Sequence, residues 1–304
     1  MTRRLSSRDN PLLRQLVRIV ESSRERRQLG VSFIEGVHLC ATYLARVGRP
    51  RLTLVTPEAQ AQPEVAALLA ALAQGSESPS GRAPRQAGAP IEGLPAGTAP
   101  VEIAAPLFSL LSQVENGIGV AFLIDTPRAE LPERLDEDGV YLDGLQDPGN
   151  VGTILRSCAA AGVARVLTAP GTVWCWSPKV LRAGMGAHFG LTLHESVSWP
   201  EVLARLSLPV RATSPRAPST IWQADLRPPA LWVFGREGQG LDPDRIAPGL
   251  SWIGIPQASA VESLNVAAAV AVCLFEQQRQ RQVPSQVGDS AQAQARAPGP
   301  PHSA

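Results

Sequence analysis

Three stretches of the sequence place polar side chains beside small residues at the ends of apolar segments, where backbone groups remain free for a ligand. One of them, residues 255–268 (IPQASAVESLNVAA), runs from a predicted strand into an Ala/Val-rich helix. Pro256 ends the strand because proline has no amide hydrogen to donate to a sheet. Ser263 or Asn265 can cap the helix, beside the carboxylate of Glu262. This junction predicts a ligand site, although ordinary helix capping also explains Ser263 taken alone.

A second stretch, residues 142–163, supplies a cation. It predicts a turn at residues 147–150, with Asn150 as the N-cap of a helix over 151–161. The predicted core stripe of this helix comprises Val151, Ile154, Leu155, Cys158 and Ala159. Arg156 lies off the stripe and, because helical side chains lean toward the N-terminus, can reach back over Gly152 and the Asn150 loop. It indicates an anion or ribose-phosphate clamp, with a solvent-facing arginine as the alternative interpretation.

The third stretch is a glycine-rich loop, residues 234–240 (FGREGQG), after an apolar strand. Its three glycines permit close backbone approach, and Glu237 places a carboxylate at the end of the strand. The loop matches neither GxxxxGK[ST] nor a GxGxxG after the first strand of a dinucleotide fold. These mismatches argue against a nucleotide-binding α/β enzyme.

Composition and scattered residues exclude several other classes of protein. The 304 residues have a net charge of +1, so no global field draws the chain to nucleic acid. Four cysteines lie far apart without histidines at ligand spacing, which favours reduced thiols and no metal site. None of the four histidines has a partner in a nucleophile motif. We also expect no secretory signal and no membrane span.

The first half predicts a small α/β domain over residues 1–126. Residues 1–30 predict one amphipathic helix with an arginine face, which is either solvated or in contact with phosphates. Predicted strands and helices alternate after it. Residues 74–100 are rich in Gly, Ser, Ala and Pro, and predict a flexible surface insertion.

The second half predicts a parallel sheet with covering helices over residues 139–282, after a polar linker at 127–138. Strand-like runs are predicted at 140–142, 163–168, 191–194, 209–212, 231–234 and 252–255. Helices are predicted between most of them, and the last one spans 263–281. Residues 283–304 predict a disordered tail.

The order and spacing of the three stretches resemble the SpoU-type (TrmH-like) RNA ribose 2′-O-methyltransferases of the SPOUT superfamily. The matching motifs are NVGTILRS at 150–157, FGREGQGL at 234–241 and IPQASAVESLNVAAA at 255–269. The first half also resembles the substrate-binding domain that precedes the methyltransferase domain in many members. This likeness implies an α/β SPOUT domain with a parallel sheet and a deep trefoil knot, and a homodimer with active sites at the subunit interface.

The same resemblance implies roles for individual residues. S-adenosylmethionine would contact the backbone at Gly235, Ile255 and Leu264. Arg156 would be the catalytic arginine. The residues that shape the site and hold ribose and phosphate would be Asn150, Glu237, Ser263 and Asn265. The chain departs from the family pattern at Gln257 and Ser259, where members commonly have Met and Gly.

The reaction implied is attack of a ribose 2′-hydroxyl on a sulfonium methyl, which depends on positioning and on help with the hydroxyl proton. A guanidinium is a weak proton acceptor. Arg156 therefore either holds the target phosphate and acts electrostatically, or acts as a base after desolvation. The resemblance implies an enzyme for structured RNA, ribosomal in preference to transfer RNA, and the widely spaced cysteines favour a cytosolic protein. The alternatives are a tRNA ribose methyltransferase and a non-catalytic RNA-binding or ribosome-assembly protein.

Overall fold

Two β-sheets, one in each half of the chain, organise the computed structural model. It describes residues 4–74, 89–94, 99–114, 117–214, 217–236, 240–241, 250–258 and 263–282. The strands of the first half are β1 (Arg4–Leu5), β2 (Val31–Glu35), β3 (Leu52–Val55), β4 (Val101–Ile103) and β5 (Val120–Asp125). Its helices are α1 (Pro11–Glu21), α2 (Ser23–Leu29), α3 (Val37–Arg46), α4 (Pro57–Gln60), α5 (Pro63–Gln74) and α6 (Ala105–Phe108).

The first sheet is mixed, with strand order β1-β4-β3-β5-β2. Strand β5 pairs antiparallel with both β2 and β3, whereas β4 pairs parallel with β1 and β3. The predicted small α/β fold of this half is therefore observed.

The prediction of one helix over residues 1–30 is wrong, because Ser22 ends α1 and its side chain caps α2. Arg26 leaves the predicted arginine face and is buried, where its guanidinium donates to the carbonyls of Ile19 and Val20 at 2.7 Å. The apolar residues of α1 lie in the domain core. Removing residues 1–30 would therefore unfold this half. Point substitutions, and not a deletion, are needed to test whether arginines in this region contact RNA.

The second half contains strands β6 (Gly139–Leu142), β7 (Arg165–Thr168), β8 (Thr192–His194), β9 (Val210–Thr213), β10 (Ser219–Thr220), β11 (Leu231–Phe234) and β12 (Leu250–Gly254). Its helices are α7 (Pro148–Ala160), α8 (Pro178–Gly184), α9 (Trp199–Leu203) and α10 (Val266–Gln282), with a 3₁₀ helix at Ala187–Gly190. The strand order is β10-β12-β9-β11-β6-β7-β8, and every pairing is parallel.

The predicted parallel sheet is confirmed, and its register decides where the candidate stretches meet. Leu142 at the end of β6 pairs with Phe234 at the end of β11 and with Thr168 at the end of β7. The loops that follow these strands therefore leave the same edge of the sheet, as ligand-binding loops do in open α/β folds. The trefoil knot stays a prediction.

Helix α10 is fixed to the sheet by a buried polar network. The side-chain oxygen of Gln277 accepts from the Trp232 indole at 2.7 Å and from the buried Arg211 guanidinium at 3.1 Å. Asp138 accepts from the Gln277 amide and forms an ion pair with Arg281. Because buried polar groups must be paired, this network specifies the position of α10 and of the loop before it.

An apolar contact joins the two halves of the chain. Tyr43 of α3 packs edge-on against Phe122 of β5 and against Phe189 of the 3₁₀ helix, with ring centroids 6.4 and 5.3 Å apart. These residues belong to one buried cluster that includes side chains from both sheets. Shared burial of this kind holds the two halves in a defined orientation.

Part of the 74–100 segment is a core element, which differs from the predicted surface insertion. Within residues 89–94, Ile91 is 7% exposed and packs in the core of the first half. The Glu92 amide donates to the Gln15 side chain at 2.7 Å. The remainder of the segment, residues 75–88 and 95–98, lies outside the described residues, as do residues 283–304.

We expect Ile91→Ala to lower the free energy of unfolding by about 2–4 kcal/mol, because it removes buried methyl groups and leaves a cavity. Glu92→Ala is the control, since the Glu92 side chain is exposed and the Gln15 contact uses only its amide. Chemical denaturation measures both variants. Equal free energies of unfolding for Ile91→Ala and Glu92→Ala would instead support a surface position for this segment.

Candidate functional site

The start of α7 carries two candidate site elements, although not as predicted. Asp147, and not Asn150, is the N-cap, and its Oδ1 accepts from the Asn150 amide at 2.7 Å. Pro148 occupies the first helical position, where a missing amide hydrogen costs nothing. Asn150 therefore lies in the first turn, and its side chain is available for contacts outside α7.

Asn265 caps α10 and also contacts α7. Its Oδ1 accepts from the amides of Ala267 and Ala268 at 2.9 and 3.3 Å. Its Nδ2 donates to Oδ1 of Asn150 at 2.9 Å, across a separation of 115 residues. Ser263 is exposed and precedes the helix, so ordinary capping does not account for it. The fold thus joins two of the three candidate stretches by one side-chain hydrogen bond.

The glycine-rich loop turns back on itself immediately after β11. The Gly240 amide donates to the Arg236 carbonyl at 2.9 Å, and Gly240 has φ +68°. A Cβ at Gly235 would collide with the Gly240 carbonyl, so only glycine permits this close approach. Glu237 lies outside the described residues.

Arg236 lies at the candidate site, although the sequence interpretation did not single it out. A Cβ at Gly144, which has φ +75°, would lie 2.5 Å from Nε of Arg236. The guanidinium therefore packs directly on the β6–α7 loop and connects it with the glycine-rich loop. The sequence contained one signal for this contact. Gly144 follows an apolar strand by two residues, and Arg236 belongs to the glycine-rich motif.

Arg156 lies on the exposed face of α7, and it has no hydrogen-bond or ion-pair partner among the described residues. At about 100° per residue it projects about 120° around the helix from Asn150. The expectation that it reaches back over Gly152 stays a prediction, and Gly152 itself is buried against α8. The core stripe is confirmed at four positions, but Ala159 is exposed. Within one chain, Arg156 is therefore open to solvent and not hydrogen-bonded to Asn150 or Asn265.

Gly152 sets the approach of α8 to the site helix. A Cβ at this position would lie 2.7 Å from the Val180 carbonyl oxygen and would collide with the Ala183 side chain. We expect Gly152→Ala to lower the free energy of unfolding by about 1–3 kcal/mol, since overpacking forces backbone shifts. The neighbouring exposed residue gives the control, Thr153→Ala. Thermal denaturation measures both variants, and equal thermal midpoints for Gly152→Ala and Thr153→Ala would contradict this packing role.

The predicted cofactor residues lie at the carboxyl edge of the second sheet. Gly235 directly follows β11 and Ile255 directly follows β12, and both are half-buried. Leu264 precedes α10 and is 39% exposed. Their backbone contacts to a cofactor stay a prediction. Gln257 is half-buried in the same loop, and Ser259 lies outside the described residues.

The buried side chains of the protein interior include a histidine and the four cysteines. His188 is buried, and its Nε2 donates to the Cys175 carbonyl at 2.9 Å; burial lowers its pKa to about 4. All four cysteines are buried and free. In the described part of the chain, no group of three or more His, Cys, Asp or Glu residues could hold a metal ion. None of the helices there has the length and apolar character needed to cross a membrane.

A parallel α/β sheet with three polar loops at one carboxyl edge defines a ligand-binding α/β protein. Residues 139–275 match the model of the SpoU rRNA Methylase family. An uncharacterized tRNA/rRNA methyltransferase of Synechocystis sp. is 33% identical over 294 residues, which cover 93% of this chain and 96% of the relative. The chain belongs to the SpoU family of RNA methyltransferases.

Other relatives extend this comparison. The 23S rRNA (guanosine-2′-O-)-methyltransferase RlmB of Pseudomonas putida is 32% identical over 254 residues, covering 82% of this chain and 97% of that protein. The crystal structure of an RNA 2′-O ribose methyltransferase matches with a TM-score of 0.71 and 29% identity, covering 92% of this chain and all of that one. An rRNA methyltransferase from Sinorhizobium meliloti, solved with AdoMet bound, shares the fold with a TM-score of 0.72, 23% identity and coverage of 91% and 98%.

Proposed function

We propose that this chain transfers a methyl group from S-adenosylmethionine to a ribose 2′-hydroxyl of structured RNA. The observation that carries this proposal is the hydrogen bond between Asn150 and Asn265, which brings two motifs of the family to one place. The third motif lies at the same edge of the sheet, because β11 pairs in register with β6. Family membership supplies the reaction class, and this geometry supplies a site for it.

The residues present fit the cofactor. Support comes from the loops after β11 and β12, which leave the same carboxyl edge, and from the close approach of Gly235 to the Gly240 backbone, which keeps the glycine-rich loop compact beside that edge. Gly235, Ile255 and Leu264 would hold S-adenosylmethionine, which supplies an electrophilic methyl group when bound. Arg156 would hold the phosphate next to the target ribose through paired N–H donors, as guanidinium groups do. Asn150, Ser263 and Asn265, with Glu237, would orient the ribose, because transfer depends on in-line positioning.

The substrate proposed is ribosomal RNA. Support comes from the relative named as a 23S rRNA methyltransferase, of which this chain covers nearly the whole length. The relative named as a tRNA/rRNA methyltransferase keeps transfer RNA as the alternative. We propose that residues 1–126 select the RNA for residues 139–282, and that the enzyme is cytoplasmic.

We also propose that the enzyme acts as a homodimer. Arg156 is exposed and has no partner in the described part of one chain. Helix α10 and the residue before its cap expose two large apolar side chains, Phe275 at 45% and Leu264 at 39%. A second copy would cover such a surface and bring further groups toward Arg156.

The test is transfer of labelled methyl from S-adenosylmethionine to total RNA from a strain lacking the gene, with digestion of the product to nucleosides. Label in a 2′-O-methylnucleoside supports the proposal and identifies the base. Fractionation of the RNA before digestion separates rRNA from tRNA. Absence of both label and S-adenosylmethionine binding would instead support a non-catalytic RNA-binding protein on this fold.

A further inference from the structure

A cleft of about 340 Å³ lies between the two halves of the chain, outside the site described above. We call it the arginine cleft. Its wall from the first half comes from α2 and from the segment after β5, and its wall from the second half comes from the segments after β7 and β8. The residues that define it here are Arg26, Arg27, Arg128, Thr172, Trp174 and Glu195.

Three arginines line one wall of the cleft, and part of their donor capacity is unused. Arg26 is 5% exposed, and its Nε is buried without a hydrogen-bond partner among the described residues. Arg27 and Arg128 are exposed, and Arg128 donates to the Arg27 carbonyl at 3.0 Å. The exposed guanidinium groups of Arg27 and Arg128 can therefore donate to an anion in the cleft, whereas Nε of Arg26 is closed off from solvent.

The other wall holds these arginines in place. Arg26 and Arg27 lie over the Trp174 ring at 5.5 and 5.4 Å. Glu195 is turned toward the backbone, where it accepts from the Cys175 amide at 2.8 Å. Burial raises the pKa of Glu195, although the hydrogen bonds from Cys175 and the nearby charge of Arg27 act in the opposite direction. The three arginines outnumber this one carboxyl group, so the lining of the cleft is net positive.

The same wall contains a residue in a backbone conformation that is uncommon outside glycine. Ser196 has φ +58° and lines the cleft at the end of β8. Non-glycine residues with this conformation are uncommon and cluster at functional sites.

The cleft and the candidate active site both lie at the carboxyl edge of the second sheet, and side-chain contacts connect them. Thr172 lines the cleft, and its hydroxyl accepts from the Gly144 amide at 3.1 Å. Gly144 in turn packs against Arg236 of the glycine-rich loop. Strands β6 and β7 are neighbours, and adjacent strands lie about 4.8 Å apart. A chain bound at one of these places can therefore extend to the other.

We propose that the arginine cleft binds a backbone phosphate of the RNA strand, a few nucleotides from the ribose that is methylated. The inference rests on the proposed function and adds a second contact for the same strand. Arginine suits this role because its planar fork matches phosphate oxygens. Contacts to phosphates position an RNA without selecting its sequence. The cleft would thus place the strand in register, with base recognition left to other residues.

The test compares the full-length wild type with Arg27→Ala/Arg128→Ala and with the charge-matched control Arg18→Ala/Arg24→Ala. All four arginines are exposed, and the control pair lies on α1 and α2 outside the cleft. The probe is a transcript of large-subunit rRNA, whose affinity is measured over a series of salt concentrations. We expect the cleft pair to lose about tenfold in affinity and the salt slope to fall by about one, as for one lost phosphate contact. The control pair should lose less than about threefold.

The kinetics of methyl transfer distinguish an RNA-binding role of Arg27 and Arg128 from a structural role. The cleft pair should raise KM for RNA with little change in kcat, because a phosphate contact away from the reaction binds substrate and transition state alike. Arg27→Lys/Arg128→Lys should recover most of the salt slope, since the charge is kept. S-adenosylmethionine affinity and thermal unfolding should match between the two alanine pairs.

Each contrary result has a distinct meaning. RNA binding by the cleft would be contradicted if both alanine pairs weakened affinity equally, or if the cleft pair kept wild-type affinity. Methyl transfer by the wild type would still support the proposed function in either case. A wild type that neither binds nor methylates RNA would overturn both. The two arginines would have a structural role between the halves of the chain, and no role in RNA binding, under one further outcome. In that outcome the alanine pair loses thermal stability, and the lysine pair restores stability but not affinity.

Discussion

Arg156→Ala is expected to lower kcat/KM for RNA methylation by about 10²- to 10³-fold, the usual effect of removing one preorganised charged donor from an active site. The residue is exposed on α7, without a hydrogen-bond or ion-pair partner in the described part of the chain. Its loss should therefore leave the thermal midpoint unchanged. S-adenosylmethionine affinity should stay within about twofold, because the predicted cofactor contacts lie in other loops. Single-turnover methyl transfer measures the first effect, and calorimetry measures the other two.

Two variants sharpen this test. Thr153→Ala changes the same exposed face of α7 one turn earlier and should retain activity. Arg156→Lys keeps the charge but loses the planar fork, so a phosphate-holding role predicts intermediate activity with a raised KM. A base role predicts that lysine changes the pH dependence of kcat instead. Full turnover by Arg156→Ala would remove this residue from the reaction.

Asn265→Ala should have the second large effect, because one side chain performs two tasks. Its oxygen caps α10 and its nitrogen holds Asn150 at the start of α7. We expect a loss of about 1–2 kcal/mol in the free energy of unfolding from the missing cap. Methyl transfer should fall by about 10²-fold, since a displacement of about 1 Å in a positioning group has effects of that size. Denaturant titration and initial rates measure the two effects.

The control is Asn265→Ser, which separates the two tasks. Serine is as good an N-cap as asparagine, so stability should return to nearly the wild-type value. The shorter side chain has no nitrogen to bind Asn150, so activity should stay low. Wild-type activity in the serine variant would show that the hydrogen bond between the two helices does not position the site. Recovery of neither property would mean that α10 starts elsewhere in the variant.

Local patterns of the sequence determined most elements of the second half. Apolar runs with short polar connections predicted the strands and helices there, because burial on both faces of a parallel sheet leaves a strong signal. Errors came where two residues could do the same local task. Asp147 and Asn150 are both good N-caps, and Pro148 selects Asp147. Ser22 is compatible with a helix interior, yet it divides α1 from α2.

Isolated residues in weakly patterned segments were predicted least well. Ile91 is a lone apolar residue among Gly, Ala and Pro, and periodicity cannot register a single position. It is buried because it packs with apolar side chains that are distant in sequence, in the core of the first half of the chain. Arg26 belonged to an apparent arginine face, but it turns inward to cap the end of α1. Neither outcome follows from neighbours in sequence.

The sequence by itself determined the family, the reaction class and the identity of the polar residues, because ordered motifs preserve residue types at fixed spacing. Only the tertiary structure decided which of these residues meet. It joined Asn150 to Asn265, packed Arg236 on Gly144 and packed Gly152 against α8. It also formed the arginine cleft from both halves of the chain. Contacts across more than a hundred residues depend on sheet register and helix packing, which short-range patterns do not encode.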